Sequence, residues 1–197
     1  SLLKKYSVDV VLEPGTVSKT ETYALLEKEI SDRKIPKVLA RRGQIVDLGG
    51  GAYLQILFPD RDVSGLSSND GSLVMKLVYG NTSVMLQGDS TDNIEHYLSS
   101  MDGENLKSTI LKAGHPCSIT SSSEEYVSLV KPEMTVISSG VNNDYGHPHK
   151  ETLETMQKLK IPTYSTCNNG RLVFESNGEK FVLKNKNARE AIVGCRF

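Results

Sequence analysis

Three short motifs carry the side chains best suited to chemistry, and each stands just past an apolar, β-rich run. They are Gly88-Asp89, Gly114-His115 and Gly146-His147-Pro148-His149. Sites in α/β proteins gather beyond strand ends. A hard divalent metal takes carboxylate oxygen there, and an ion such as zinc adds neutral imidazole nitrogen. Asp89 with one or more of His115, His147 and His149 therefore reads as part of a coordination shell. Three of the four histidines lie in these motifs, and His96 falls in a helical stretch among polar neighbours. Each motif also has a plainer reading. Asp89-Ser90 suits the cap of a following helix. A His after Gly serves as a hydrogen-bonded loop residue, and His147-Pro148-His149 suits a rigid helix entry. Three polar motifs at three strand ends are harder to explain by capping alone.

Other candidates weigh less. Cys117, two residues past His115, has the chemistry of a ligand or nucleophile, but free cysteine is most often a small buried hydrophobe. Ser118 and the serines 121–123 suit helix capping, and no GxSxG turn surrounds them. Arg41-Arg42 and Lys184-Asn185-Lys186 have phosphate-binding character, yet short basic clusters are commonly solvated. The glycines 49–51 lie between two strand-like runs, where a dinucleotide-binding GxGxxG would need a strand before and a helix after.

The elements that must position these residues alternate along the chain. Residues 8–12 are β-rich. Ser18 and Glu21 have capping-box spacing ahead of an apolar stripe at Tyr23, Leu26 and Ile30, and Pro36 closes that helix. Segments 38–39, 45–48 and 52–58 read as strands, and 60–71 as a surface loop. A hairpin follows, with alternation over 73–79, a Gly80-Asn81 turn and a return over 83–86. A short helix carries Ile94, Tyr97 and Leu98, and 109–113 is a strand. Ser122 and Glu125 open a helix that Pro132 stops, 134–137 is a strand, and a helix through Leu153, Met156 and Leu159 ends before Pro162. The rest is β: 163–166, 172–174, an Asn177-Gly178 turn and 180–183. Hairpins mixed with strand–helix alternation predict a layered α/β fold whose sheet is not purely parallel.

Composition narrows the classes. At 197 residues the chain suits a single domain, and 38% hydrophobic with 24% charged residues excludes wholesale disorder. Twenty-three Lys and Arg against 24 Asp and Glu leave a net charge of −1, so no global excess argues for a polyanion. No apolar run reaches the ~20 residues that span a bilayer. Three cysteines make neither a disulfide scaffold nor a CxxC zinc site, and the odd count favours a reducing compartment. The opening SLLKKYSVDVVLEPG has Leu2, Leu3 and Tyr6 at helical spacing and reads as the last turn of a helix, which suggests an excerpt of a longer chain.

The ordered strings NDGSLVMKLVYGNTSVMLQGD, LKAGHPCSITSSSEEYVSLVKPEMTVISSG and NNDYGHPHKETLETMQKLKIPTYST resemble the metallo-β-lactamase-like domain of ComEC-type competence proteins and their soluble relatives. The resemblance covers residues 8–174 and is strongest over 69–166. It implies an αββα metallo-β-lactamase-like sandwich, here lacking its N-terminal strands and first metal-ligand motif. One N-terminally incomplete domain would span 1–197, with a core at 8–175 and a β tail at 176–197. By resemblance, Asp89 matches the carboxylate that bridges two metals and His115 the first His of a GHHGS-like metal motif. His147 and His149 match a loop beside the site, as catalytic or substrate contacts. Asn69 and Ser72 match an NxxS turn near it, with Ser118 a further substrate contact.

Two departures follow. The family's leading HxHxDH-like run has no equivalent in this chain and would precede Ser1. The GHHGS-like motif reads Gly114-His115-Pro116-Cys117-Ser118, which removes the second His and stiffens the loop. The family implies a divalent metal, zinc or manganese and two ions when complete, which activates water and polarises a phosphoryl or acyl oxygen. Phosphodiester hydrolysis of DNA, as in DNA uptake, is the implied activity. Because tetrahedral zinc takes about four donors, Asp89 and His115 alone predict a chain poor in metal and inactive. A degenerate binding or assembly domain and a soluble hydrolase of small esters or phosphodiesters are the alternatives. Loss of a sandwich edge predicts a homodimer, or aggregation, through an exposed sheet edge. The location is the extracytoplasmic face of the membrane for a competence channel, and the cytoplasm otherwise.

Overall fold

Local signals account for most of the elements seen in the computed structural model, which describes residues 2–114, 121–143 and 147–191. A short helix α1 (Leu2–Lys5) leads to strand β1 (Val11–Glu13) and helix α2 (Glu21–Asp32). Thr20 caps α2, its hydroxyl accepting from the Tyr23 N–H at 3.3 Å. Ser18, the expected cap, bonds Thr20 instead. The helix ends with Lys34 at φ 54°, where the N–H groups of Lys34 and Ile35 reach back to the carbonyls of Ser31 and Ile30. Strand β2 (Lys37–Leu39) then pairs with β1 in parallel, making a small βαβ unit.

The remaining strands build one large mixed sheet. β3 (Ile45–Gly49), β4 (Ala52–Phe58), β5 (Val74–Tyr79) and β6 (Thr82–Leu86) form an antiparallel meander. The expected Gly80-Asn81 hairpin joins β5 to β6, with Gly80 at φ 57° and packed on the Gly178 backbone. β7 (Ile110–Lys112), β8 (Met134–Ile137) and β9 (Thr163–Ser165) continue the sheet in parallel, in the order β3-β4-β5-β6-β7-β8-β9. The connections from β6 to β9 carry helix α3 (Asp92–Asp102) with a 3₁₀ turn over Gly103–Leu106, helix α4 (Glu124–Val130) and helix α5 (Lys150–Lys158). After β9 come a single helical turn α6 (Thr166–Asn169) and an antiparallel hairpin, β10 (Phe174–Ser176) and β11 (Phe181–Leu183). The mixed α/β class expected from the sequence is what the chain adopts: a large central sheet flanked by helices.

Period-two alternation sends Leu57, Val74, Met85 and Leu111 to one sheet face, where Ile94 and Leu98 of α3, Leu106, Tyr126, Val127 and Val130 of α4 and Met156 of α5 cover them. On the opposite face Leu54, Leu77, Val84 and Leu86 remain half-buried. Ser123 caps α4, accepting from the Tyr126 N–H at 3.3 Å, one residue later than the spacing predicts. Ser122 sits at φ 63° instead. Arg42 makes a two-pronged ion pair with Asp102, at 2.5 and 2.9 Å, and donates to the Leu57 carbonyl at 2.9 Å. Arg41 donates to the Pro14 and Ala40 carbonyls. Both arginines are thus structural. Among the described residues no helix is long and apolar enough to cross a membrane.

Candidate functional site

Because β6, β7, β8 and β9 run in parallel, their C-terminal ends open at one edge of the sheet, joined there by the start of antiparallel β5. β6 leads into Gln87-Gly88-Asp89. Gly88 has φ 59°, and a Cβ there would lie 2.9 Å from the Leu73 carbonyl oxygen, so only glycine makes this turn unstrained. Asp89 is exposed. Its N–H donates to the Ser72 hydroxyl at 3.2 Å, and that hydroxyl donates to the Ser68 carbonyl at 3.3 Å. The Ser72 N–H in turn donates to the Asn69 carbonyl at 3.1 Å. From β7, the Lys112 ammonium donates to the Gly88 carbonyl at 3.1 Å. The loop is therefore held from both sides, while among the described residues no hydrogen bond or ion pair engages the Asp89 carboxylate.

Asp89 and Ser90 do not cap α3. Its N-cap is Thr91, which makes no side-chain cap bond. The Thr91 hydroxyl donates to Asp70 at 2.6 Å, which ties the 69–72 turn to the start of α3. Ser72 thus touches Asp89 directly, and Asn69 belongs to the turn that holds Ser72.

Behind this edge sits a polar network centred on the fully buried Gln87 and Glu95. The Gln87 amide nitrogen donates to the Glu95 carboxylate, and its oxygen accepts from the Gly114 N–H at 3.1 Å. Glu95 also accepts from the N–H groups of Ser122 at 2.6 Å and Ser123 at 2.8 Å. Burial pushes the Glu95 carboxyl up from its ordinary value, against the pull of these donors. Neither Gln87 nor Glu95 stands out as a site residue in the sequence. Period two after Met85 does aim Gln87 at the helix-covered face.

His147 is buried, and its backbone is clamped by Asn143. The Asn143 side chain accepts from the His147 N–H at 2.8 Å and donates to its carbonyl at 2.7 Å. The His147 and His149 rings meet edge to face with centroids 5.1 Å apart, and His149 is the N-cap of α5 without a side-chain cap bond. The helix-entry role read from this motif is therefore real. At the ends of β8 and β9, Ser139 and Thr166 exchange hydrogen bonds, each 2.9 Å.

His115, Ser118, Pro116 and Cys117 lie outside the described residues. Among the described residues no three His, Cys, Asp or Glu side chains converge to hold a metal ion, and Asp89 would need donors from outside them. Cys167 is disulfide-bonded.

No family model matches the chain. It is similar to ComE operon protein 3 of Bacillus subtilis, 29% identical over 174 residues, which cover 88% of this chain and 22% of that protein. Recombination protein 2 of Haemophilus influenzae is 33% identical over 122 residues, 62% of this chain and 15% of its own length. Competence protein ComA of Neisseria gonorrhoeae is 34% identical over 124 residues, 63% and 18%. The chain thus spans at most 22% of these relatives' length. A solved structure from Parabacteroides distasonis, described as a metal-dependent hydrolase, superposes with a TM-score of 0.46 and 11% identity over 80% of this chain and 75% of that one.

Proposed function

We propose that this chain is a hydrolase domain of a competence protein that acts on DNA phosphodiesters. In this reading Asp89 and His115 contribute to a divalent-metal shell, zinc or manganese, completed by donors beyond those described. Asn69, Ser72, Ser118, His147 and His149 border the substrate. One observation carries the reading: a strand-end loop is braced by Ser72 and Lys112 so that the Asp89 carboxylate projects into solvent with no partner among the described residues. An acid serving only as a helix cap would spend its oxygens on backbone N–H groups. Similarity to a protein named for competence and another named for recombination favours DNA as the substrate class.

The test is calorimetric titration of the purified chain with manganese and zinc, beside Asp89→Ala and His115→Ala. Weak binding that either substitution abolishes is the expected result. Binding that both variants retain would overturn the site.

A second reading, a domain that keeps the fold for binding or assembly, draws on the missing three-donor cluster among the described residues. A folded chain that takes up no metal and cleaves no DNA, even when joined to the upstream sequence of its gene, would favour it.

A further inference from the structure

The far end of the central sheet, where β7 and β8 begin, carries a second polar concavity unrelated to Asp89. Beyond the reach of the covering helices, the β4-β5-β6 face lies open. The turn after Leu106 and the end of α4 wall it in as a cleft of about 480 Å³. That falls within the roughly 300–1,000 Å³ range of ligand sites.

Among the described residues three lysines line this cleft, against a single acid, Glu133. Lys76 rises from β5 beside Gln55, its register partner on β4. Its ammonium donates to the Asn105 carbonyl at 3.0 Å, and burial lowers its pKa, which marks a charge that the protein compensates only in part. Lys107 follows the 3₁₀ turn, and Lys131 takes the left-handed conformation just past α4. Both are exposed. Among the described residues none of the three forms an ion pair, whereas other lysines such as Lys28, Lys37 and Lys158 do. Tyr53 lines the same cleft. In a chain of net charge −1, this is a local excess of positive charge.

We infer that this cleft binds the phosphodiester backbone of a single nucleic-acid strand. Lysines drawn from three different elements along an open trough suit a linear polyanion better than one small anion, which wants donors converging on a point. An aromatic face beside them suits a base. Ser83 lines the cleft near the start of β6, and Asp89 follows three residues past the end of that strand. At about 3.3 Å per residue the stretch from Ser83 to Leu86 alone spans roughly 10 Å. The cleft would grip a strand well away from the Asp89 edge. Its binding needs no metal, so it does not depend on the hydrolase reading.

The experiment is fluorescence anisotropy of a labelled single-stranded deoxyoligonucleotide with the full chain, over a salt series and without added metal. The paired variant Lys107→Glu/Lys131→Glu is compared with Lys5→Glu/Lys19→Glu, which changes net charge equally at exposed positions outside the cleft. The expected result is affinity that falls with salt, weakened about 10-fold or more by the cleft pair and changed less than about twofold by the control pair. The milder Lys107→Ala/Lys131→Ala should reduce the salt slope by about two, one for each phosphate no longer neutralised. It also serves if charge reversal disturbs folding. Absence of binding, equal weakening by both pairs, or full displacement by millimolar inorganic phosphate would each overturn the inference.

Discussion

Gln87, at the end of β6, and Glu95, on α3, meet side chain to side chain in a space that excludes solvent, and together they fix both ends of the segment between Gly114 and Ser122. One end is held through the Gln87 oxygen and the other through the Glu95 carboxylate. The strand end that presents Asp89 is thereby coupled to Gly114, which follows β7.

Glu95→Gln keeps the shape but leaves one oxygen where two accepted three hydrogen bonds, so it should cost about 1–3 kcal/mol at neutral pH. The pH trend has a definite sign. Burial raises the folded pKa of Glu95 above its unfolded value. The fold therefore holds this proton more tightly, and stability falls as pH rises from the ordinary carboxylate range through the raised pKa. The gap between native and variant should widen as pH is lowered across that window. Urea unfolding at several pH values measures it, and a gap that narrows on acidification would contradict the assignment.

Gly88→Ala places a Cβ at positive φ and 2.9 Å from a backbone oxygen. A loss of about 1–3 kcal/mol is expected. Ser72→Ala removes the acceptor of the Asp89 N–H and should cost about 0.5–1.5 kcal/mol. If Asp89 is a ligand, losing this support should also weaken metal binding about 10-fold. Denaturant unfolding reads the first two effects and calorimetry the third.

Arg42→Ala should destabilise by about 1–2 kcal/mol. The value is discounted from that of a fully buried pair because a quarter of the Arg42 side chain remains exposed. Arg61→Ala, whose partner Asp60 lies next to it in sequence, should leave stability far closer to native than Arg42→Ala does, since its ion pair is exposed and screened. Thermal unfolding of the two variants makes the comparison.

β3 is an edge strand with Ile45 and Leu48 exposed. We propose that two copies associate through it. Ile45→Lys with Leu48→Lys should shift a concentration-dependent dimer to monomer in sedimentation velocity, since charge on an edge opposes pairing. A native chain that stays monomeric at high concentration would rule this interface out.

Much of this architecture was legible in the chain. The β5–β6 hairpin announced itself through strict alternation around Gly80-Asn81, and prolines 36, 132 and 162 marked helix ends, because these signals are local. The caps were less legible. Ser and Thr crowd residues 18–20 and 121–123, and only the path of the incoming chain decides which hydroxyl faces the helix N-terminus. The βαβ pairing of β1 with β2 and the turn α6 were not foreseen, since both depend on contacts that local pattern does not encode. Of the candidate site residues, the Gly-Asp motif points to Asp89, and Ser72 follows only from the resemblance. Gln87 and Glu95 could not be picked out, because a buried acid is recognisable only once its donors have been brought to it. The cleft lysines come from β5 and two later loops and become neighbours only in the fold.

The order of the seven strands has a consequence for how the chain is made. From β3 to β9, every strand in the large sheet lies beside the one synthesised just before it. No strand has to wait for a distant partner, and none must be inserted between two already paired. The meander can close as hairpins while it leaves the ribosome, and each parallel strand then docks on a finished edge once its crossover helix is out. Folding of this sheet is therefore expected to run vectorially, from the β3 side toward β9. The Asp89 edge, which needs the ends of β6 and β7 and the start of α4, would form only in the later part of that sequence.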